Sequence, residues 1–400
     1  MRLGRWVELT TLAPERRLPS GVGARIRTAA ARADWVLVAV VAAITALSLY
    51  VINASTAEDV AGQPDFFFSR QVLYVLGGVI LAIAALTIDI RRLAPWAWAI
   101  WGGLLGALAV VFVVGGAIRG TSRWIEIGSF NLQPSEFGKI ALMIVLAALL
   151  VERIDKIGTP RLSLFMLGVA GLPAVVVFLQ PDLGTAMVYL VILAAMMFVA
   201  GTPWTHFALT GAAIAAVAIT VLFVLPAQNV DVLQSYQVER LTAFATADRD
   251  ASDAGYQLDQ STTAIGSGGA LGKGADGATQ SINDFLPEHH TDFVFAVTAE
   301  MFGFVGGAAL ILLYAVVVWR GVRIASRAGT LFEVLVASAI VAMLAFQVSV
   351  NIGMTVGLMP ITGLPLPLMS FGGSHTLATF AALGVLMGIY LRRGPEHRLT

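Results

Sequence analysis

Long apolar runs separated by short polar segments dominate the chain. Ten windows of about 20 mostly apolar residues follow one another, each long enough to cross the ~30 Å hydrocarbon core of a bilayer as an α-helix. The pattern predicts membrane spans at about 34–53, 70–90, 94–114, 134–152, 162–180, 184–200, 205–226, 292–319, 331–358 and 371–391. We therefore predict an all-α polytopic membrane protein with about ten helices and one long Gly-rich loop at about 227–290.

Composition supports the membrane prediction. The chain is 58% hydrophobic and 12% charged, whereas soluble domains carry about 25% charged residues. Its formal net charge is zero, so no overall positive field indicates a nucleic-acid partner. The chain has no cysteine, which excludes disulfides, thiolate metal ligands and a thiol nucleophile.

The distribution of Lys and Arg predicts the orientation. Most of the 25 basic residues fall at the N-terminus, at the C-terminus and in alternate loops, which the positive-inside rule places in the cytoplasm. We expect residues 1–33 to be a disordered, Arg-rich cytoplasmic tail, 34–392 the membrane domain and 393–400 a cytoplasmic tail. The long loop and the shorter loops at 115–133 and 359–370 then lie outside.

The Gly-rich part of the long loop does not form a nucleotide-binding motif. A phosphate loop needs Gly-x-x-x-x-Gly-Lys-Ser/Thr, but Ser267 stands at the first glycine position and Gly274 at the hydroxyl position. Lys273 is available for an anion. The alternative is a flexible linker with a solvated lysine.

A second group of ionisable residues lies at 119–145. Pro134 suits the first turn of a helix, and Glu136 and Lys139 share one helix face, where they can pair. They form either a capping acid with its ion pair or part of a polar path through the membrane, because charges inside a span are costly. Arg123 lies at interface depth beside Trp124, which is alternatively an ordinary aromatic-belt residue.

Two further segments interrupt the apolar pattern. Asp182 in QPDLGTA is predicted to be structural, as a helix cap or turn residue. The segment 351–377 contains three closely spaced prolines before Gly372 and Gly373, and irregular backbone of this kind is tolerated in a membrane only inside protein or beside a polar cavity. It either closes the bundle or offers hydroxyl groups, from Ser370 and Ser374.

The stretch FLPEHHTDF, 285–293, places Glu288, His289, His290 and Asp292 against the start of an apolar span. Asp292 either caps the helix, contributes with the histidines to a divalent-metal site, or acts as a general base whose pKa is raised by partial burial. The spacing matches no strong metal motif, so no metal ligands are assigned.

If these groups converge, they suit one chemistry at the outer face. Asp292 supplies a base, and Lys139, Arg123 and Lys273 supply cations for phosphate. Cytoplasmic nucleotide sugars are absent there, so the donor must be activated and membrane-held, as a lipid-linked diphosphate sugar is. The same residues also suit the central site of a transporter, and the residues alone do not decide between these alternatives.

Five motifs, RWIEIGSFNLQPSEFGK, QPDLGTA, GSGGALGKG, FLPEHHTDFVFAV and GLPLPLMSFGGS, occur in the order found in the SEDS family of bacterial envelope proteins. The resemblance covers about 34–392, and NIGMTVGLMPITG and FLPEHHTDF resemble the elongation member, RodA, more than the division member, FtsW. Within the resemblance, Phe371 replaces a more usual Tyr and His375 a small residue.

The resemblance implies a peptidoglycan glycosyltransferase with ten helices in the bacterial cytoplasmic membrane, both termini cytoplasmic, which polymerises lipid II for cell elongation. It implies an inverting transfer that releases undecaprenyl diphosphate, with a lipid II flippase or a division-type polymerase as alternatives. The implied partners are a class B penicillin-binding protein and other elongation-complex membrane proteins. The resemblance identifies no certain cofactor and leaves open a divalent cation, Mg²⁺ or Mn²⁺.

The resemblance also implies roles for individual residues. The essential acid of the family falls on Asp292, the expected catalytic residue. The expected substrate-binding residues are Arg123, Trp124, Gln133, Glu136, Lys139, Lys273, Glu288, His290, Thr291, Ser370 and Ser374. Pro134, Asp182, Gly372 and Gly373 are expected to be structural.

Overall fold

A computed structural model describes residues 30–60, 62–114, 116–118, 121–128, 130–220, 253–282 and 285–392, with Gly23 and Arg27. The expected disordered tail at 1–33 falls largely outside the described residues. The C-terminal tail at 393–400, the end of the predicted span 205–226 and the first part of the long loop also fall outside them.

The described chain is mainly helical, as predicted. Its long helices are α1 (Trp35–Ser55), α2 (Phe66–Thr87), α3 (Ala97–Val114), α4 (Pro134–Glu152), α5 (Pro160–Leu179), α6 (Leu183–Ala200), α7 (Trp204–Ile219), α8 (Asp253–Ser267), α10 (Val294–Ala325), α11 (Leu331–Thr355) and α12 (Gly373–Arg392). Short 3₁₀ helices at Ile90–Trp96 and Ile154–Lys156 and a single-turn helix α9 (Thr279–Ile282) complete them. In the described residues, nine helical segments are long and apolar enough to cross a membrane. The predicted span 205–226 corresponds to α7, whose described part is too short to be counted among them.

Three of the helices form the interior of the bundle. Helices α4, α11 and α12 are mostly buried, whereas α2 and α3 expose most of their apolar side chains. Val113 is 86% exposed and Ile80 68% exposed, as expected for side chains that face lipid, because a bilayer solvates apolar groups on every outer face. The apolar core therefore lies on the inner faces of helices whose outer faces are equally apolar.

The connection between α3 and α4 is not the simple loop expected at 115–133. It contains a three-stranded antiparallel sheet of β1 (Gly116–Ile118), β2 (Thr121–Ile127) and β3 (Phe130–Leu132), in that order. Strand β2 pairs with both neighbours, with Ile125 opposite Leu132. Because Arg123 and Trp124 lie on the central strand, the sheet fixes their backbone.

The bundle has two polar ends. One, which we call the site end, carries the α1–α2 connection, the sheet, Asp182 and the segments 285–293 and 356–372, which hydrogen bonds join. At the opposite end, Arg320 pairs with Asp34 and Arg392 Nε lies 3.6 Å from Glu333 Oε1. The alternation of loops predicted from the apolar runs is thus present.

The Gly-rich segment is not a flexible linker, which corrects that alternative. It follows α8 and packs into a break in α10 at Gly303, where the backbone has φ 67° and ψ −165°. An unbroken helix would bond the N–H groups of residues 304 and 305 to the carbonyls of 300 and 301. The segment replaces both bonds with four: Lys273 N to Glu300 O (3.0 Å), Gly274 N to Met301 O (3.0 Å), Phe304 N to Gly269 O (2.9 Å) and Val305 N to Ala270 O (3.1 Å).

The break also corrects the predicted span 292–319. The 32 residues of Val294–Ala325 would extend about 48 Å as one helix, well beyond a ~30 Å hydrocarbon core. Residues 304–325 alone extend about 33 Å, which matches that thickness. The part before Gly303 is therefore a separate helical segment, which the Gly-rich segment hydrogen-bonds at the break.

Replacing Gly303 with alanine should lower the thermal stability of the purified protein. A Cβ at Gly303 would overlap Gly272 N and the Ala270 carbonyl, and its dihedral angles cost a non-glycine residue about 1–3 kcal/mol. The measurement is thermal unfolding in detergent. The control is Gly102→Ala in α3, where a Cβ meets nothing within 4 Å; an equally small effect of both variants would contradict the assigned break.

Candidate active site

The segment 285–293 is held at the site end through its main chain. Three successive carbonyls each accept a hydrogen bond from residues 351–371: His290 O from Phe371 N (2.9 Å), Thr291 O from Ser370 Oγ (2.5 Å) and Asp292 O from Asn351 Nδ2 (2.8 Å). Helix α10 begins at Val294 with Phe293 as its N-cap residue, so Asp292 lies one residue outside the helix. Its side chain is half-buried and its backbone is fixed on both sides.

A strained turn precedes Asp292. Glu288 has φ 55°, a left-handed conformation that is uncommon for a residue with a long side chain. Its carbonyl accepts from Thr291 N (3.1 Å) and Phe293 N (3.3 Å), and its carboxylate accepts from Thr291 Oγ1 (2.9 Å). Strain of this kind persists where the surroundings over-determine the backbone, which is common at functional sites.

The Pro-rich segment 356–372 supplies the other half of this arrangement. Ser370 is fully buried; its hydroxyl donates to Thr291 O and accepts from Leu366 N (2.8 Å). Gln71, buried on α2, donates to Ser370 O (3.3 Å) and accepts from Gly372 N (3.4 Å). Ser370 therefore helps to close the bundle, because its hydroxyl bonds the protein itself.

A second group of residues lies at the start of α4. Pro134 occupies the first turn and Gln133 the N-cap position. Glu136 is buried with both carboxylate oxygens bonded: Lys139 Nζ donates to Oε1 (2.6 Å) and His375 Nδ1 donates to Oε2 (3.0 Å). Lys139 itself is 2% exposed, so the ion pair lies inside the bundle.

The strand β2 and the α5–α6 turn join this group. Asp182 is the N-cap residue of α6 and accepts from Thr185 N (3.1 Å). Its other oxygen accepts from Gln133 Nε2 (2.9 Å), and Arg123 Nη1 lies 3.9 Å from the first. Arg123 also lies 5.2 Å from the ring of Trp124.

Arg123 retains donor capacity. Its side chain is 18% exposed, and its buried Nε has no hydrogen-bond partner within the described ranges. A guanidinium with unused donors at a membrane boundary suits a phosphate group. Of the three expected cations, Arg123 is therefore the one whose geometry best suits the binding of an anion.

The N-terminus of α12 connects the two groups. Ser374 Oγ accepts from Gln133 N and donates to Asn131 O, both at 2.8 Å. Gly373 packs so closely on Phe130 and Tyr74 that a Cβ would overlap the Phe130 ring. Residues 370–375 therefore contact the Asp292 segment on one side and the Glu136 group on the other.

Lys273 belongs neither to the Asp292 segment nor to the Glu136 group. Its Nζ is 3.5 Å from Oε1 of Glu300, a fully buried residue whose same oxygen accepts from Gln280 N (3.0 Å). Glu300 lies about two helical turns beyond Asp292 along α10. Lys273 is 33% exposed, so it remains within reach of solvent.

The order of these motifs corresponds to a known family. The sequence matches the FtsW/RodA/SpoVE family, described as cell cycle proteins, over residues 31–393. The chain belongs to that family. The resemblance to the SEDS proteins inferred from five motifs is confirmed over almost the whole described bundle.

Relatives in the FtsW/RodA/SpoVE family cover the chain at substantial identity. The probable peptidoglycan glycosyltransferase FtsW of Halorhodospira halophila is 38% identical over 376 residues, which are 91% of each chain. The rod shape determining protein RodA of Thermus thermophilus is 31% identical in a structural match with a TM-score of 0.64, covering 91% of this chain and 98% of that one.

A second solved structure shows the same fold more closely. It concerns the structural coordination of polymerization and crosslinking by a peptidoglycan synthase complex, with a TM-score of 0.72 and 34% identity, covering 90% of this chain and 97% of that one. Similarity to both an FtsW and a RodA leaves the expected resemblance to the elongation member unresolved.

Several residues that contact the candidate site were not identified from the sequence of this FtsW/RodA/SpoVE chain. Asn351 and Gln71 lie inside apolar runs, and a buried polar residue in such a run is the signal that could have found them. His375, noted only as a departure from the family pattern, bonds Glu136. Glu300, noted only as part of a span, pairs with Lys273.

Proposed function

We propose that this protein is a peptidoglycan glycosyltransferase that polymerises lipid II at the outer face of the bacterial cytoplasmic membrane. The observation that carries the proposal is the fixed backbone of Asp292, whose carbonyl and the two before it are each hydrogen-bonded. A general base must be positioned before the reaction, because misplacement by about 1 Å can reduce the rate about a hundredfold.

Charge distribution supports the orientation. Basic residues gather at the opposite end of the bundle, among them Arg91, Arg153, Lys156, Arg320 and Arg323, and the positive-inside rule assigns that end to the cytoplasm. The site end then faces outward, and both termini are cytoplasmic. A lipid-linked diphosphate donor is the activated sugar that such a site can reach.

In the proposed reaction, Asp292 removes the proton from the 4-hydroxyl of the acceptor sugar. The hydroxyl oxygen attacks the anomeric carbon of the lipid-linked donor from the face opposite the leaving group. The bond to the diphosphate oxygen breaks, and undecaprenyl diphosphate departs with the electron pair. One displacement of this kind inverts the anomeric configuration.

Cations near the site stabilise the leaving diphosphate. Arg123 combines partial exposure with unused donors, and Lys273 is exposed enough to turn towards a ligand. Lys139 is buried against Glu136, so we assign it to shaping the substrate site rather than to direct phosphate contact. No cofactor is required by this scheme, and a Mg²⁺ or Mn²⁺ ion on the diphosphate is compatible with it.

The proposed partner is a class B penicillin-binding protein that crosslinks the new strands. The similar structure of a synthase complex that coordinates polymerization with crosslinking supports this partner. Other membrane proteins of the elongation complex would then bind the same assembly. We propose an elongation role, from the RodA-like segments NIGMTVGLMPITG and FLPEHHTDF, with division as the alternative supported by the FtsW relative.

An assay with purified protein distinguishes polymerisation from transport. Detergent-solubilised protein, mixed with lipid II and the partner penicillin-binding protein, should form glycan strands that are resolved on a gel. Detergent provides no second membrane face, so polymer formed there requires an enzyme. Lipid II scrambling in vesicles without any polymer would instead support the flippase alternative and contradict the proposal.

A further inference from the structure

The α1–α2 connection places a carboxylate against the two histidines of the segment 285–293. Asp59 Oδ2 lies 3.3 Å from His289 Nε2 and 3.9 Å from His290 Nδ1. The three ligand atoms lie within 4.8 Å of one another. His289 is 1% exposed, and the Asp59 side chain is 15% exposed, so the group is shielded but reachable.

The tautomer of His289 can be assigned from its other nitrogen. His289 Nδ1 lies 3.2 Å from the Leu286 carbonyl oxygen, which can only accept, so Nδ1 carries the hydrogen. In the neutral ring, Nε2 then carries a lone pair and lies 3.3 Å from the Asp59 carboxylate oxygen. Two acceptors 3.3 Å apart require a shared positive charge between them, either a proton or a metal ion.

The spacing matches metal coordination. Ligands about 2.0–2.1 Å from a tetrahedral Zn²⁺ ion are about 3.3 Å apart, which is the distance from Asp59 Oδ2 to His289 Nε2. A ring N–H donated to a carbonyl also orients many metal-bound histidines. His290 Nδ1 lies 3.9 Å from the same Asp59 oxygen, so its ring, which packs 4.5 Å from the Phe67 ring, must move towards the ion to complete the site.

We propose that Asp59, His289 and His290 bind one divalent transition-metal ion of the Zn²⁺ class. Imidazole nitrogen favours such ions, whereas Mg²⁺ and Ca²⁺ prefer oxygen ligands. Three protein ligands leave one coordination position for water or a ligand oxygen. The site is distinct from any Mg²⁺ or Mn²⁺ held by a diphosphate, and it does not depend on the proposed transferase function.

Metal binding would join two parts of the chain. Asp59 lies between α1 and α2, while His290 is two residues from Asp292 and its carbonyl is bonded to Phe371 N. A bound ion therefore links the α1–α2 connection to the fixed segment that carries Asp292. The ion would raise the thermal stability of the protein by binding the folded state only.

The test uses the full chain in detergent, stripped with a chelator and then equilibrated with Zn²⁺. Metal content after gel filtration should be one zinc ion per chain. Asp59→Asn and His289→Gln should each weaken Zn²⁺ binding more than about tenfold, the lower range for loss of even an indirect partner. The controls Asp65→Asn, in the same connection, and His206→Gln, bonded to Ser163, should bind as the wild type does.

Equal zinc binding by Asp59→Asn, or none by the wild type, would overturn the proposal and leave a proton-shared Asp59–His289 pair. Displacement of the bound zinc by Mg²⁺ at similar concentration would overturn it as well. If the variants fail to fold, X-ray absorption at the zinc edge of the wild-type protein tests the site, because it reports the number of imidazole ligands on the zinc. Two imidazole ligands support the site, and fewer than two contradict it.

Discussion

Replacement of Asp292 with asparagine should reduce lipid II polymerisation by roughly 10²–10⁴-fold, the usual contribution of a general base. The asparagine side chain has almost the same shape but cannot accept the proton of the acceptor hydroxyl. The substitution leaves unchanged the hydrogen bonds to the backbone carbonyls of Asp292 and Thr291, so the variant should keep its fold. The measurement is the initial rate of glycan formation by purified protein, beside its thermal unfolding temperature.

The matched control is Asp276→Asn. Asp276 is an exposed acid in the same Gly-rich region, so its loss changes the net charge equally while leaving the candidate site intact. Its rate should equal that of the wild type. A normal rate for Asp292→Asn, or an equal loss in the control, would remove Asp292 from the reaction.

The membrane spans were predictable because length and hydropathy alone define them. Helix α4 was predicted at 134–152 and found at Pro134–Glu152, since a proline marks its start and Arg153 follows its end. The break at Gly303 was not predictable in the same way. It exists because the Gly-rich segment, 27 to 35 residues earlier in the chain, occupies the gap, and an apolar run contains no signal for a partner that distant.

The missed sheet has a different cause. Strands β1 and β3 contain three residues each, too few to show an alternating pattern, and their stability comes from pairing with β2. A loop was therefore the natural prediction for 115–133. The sheet matters for the candidate site, because it places Arg123 near Asp182.

Motifs indicated the candidate site residues, but they did not indicate the partners of those residues. The helices are apolar on all sides because lipid covers their outer faces, so no polar stripe indicates which side faces inward. Asn351 and His375 could be identified as partners only from the structure, in which three helices pack together. The contacts of Asp292 with Asn351 and of Glu136 with His375 are long-range in the chain, and only the fold brings them together.

The buried Glu136–Lys139 pair should produce the largest effect on stability. Removal of one member of a buried ion pair costs about 3–5 kcal/mol, because the other charge stays buried without compensation. Glu136→Gln leaves both Lys139 and His375 without their carboxylate. Lys139→Met leaves Glu136 still bonded to His375, so it should cost less. Thermal unfolding in detergent measures both, with Glu126→Gln on the exposed face of β2 as the neutral control.

The double variant Glu136→Gln/Lys139→Met separates a structural role from a catalytic one. It contains neither buried charge, so part of the stability lost by Glu136→Gln should return, with a coupling energy of about 0.5–3 kcal/mol in the cycle. If the pair shapes the substrate site, the stable double variant still polymerises lipid II poorly. Recovery of both stability and rate would make the pair purely structural, and single variants that unfold like the wild type would contradict the buried pair itself.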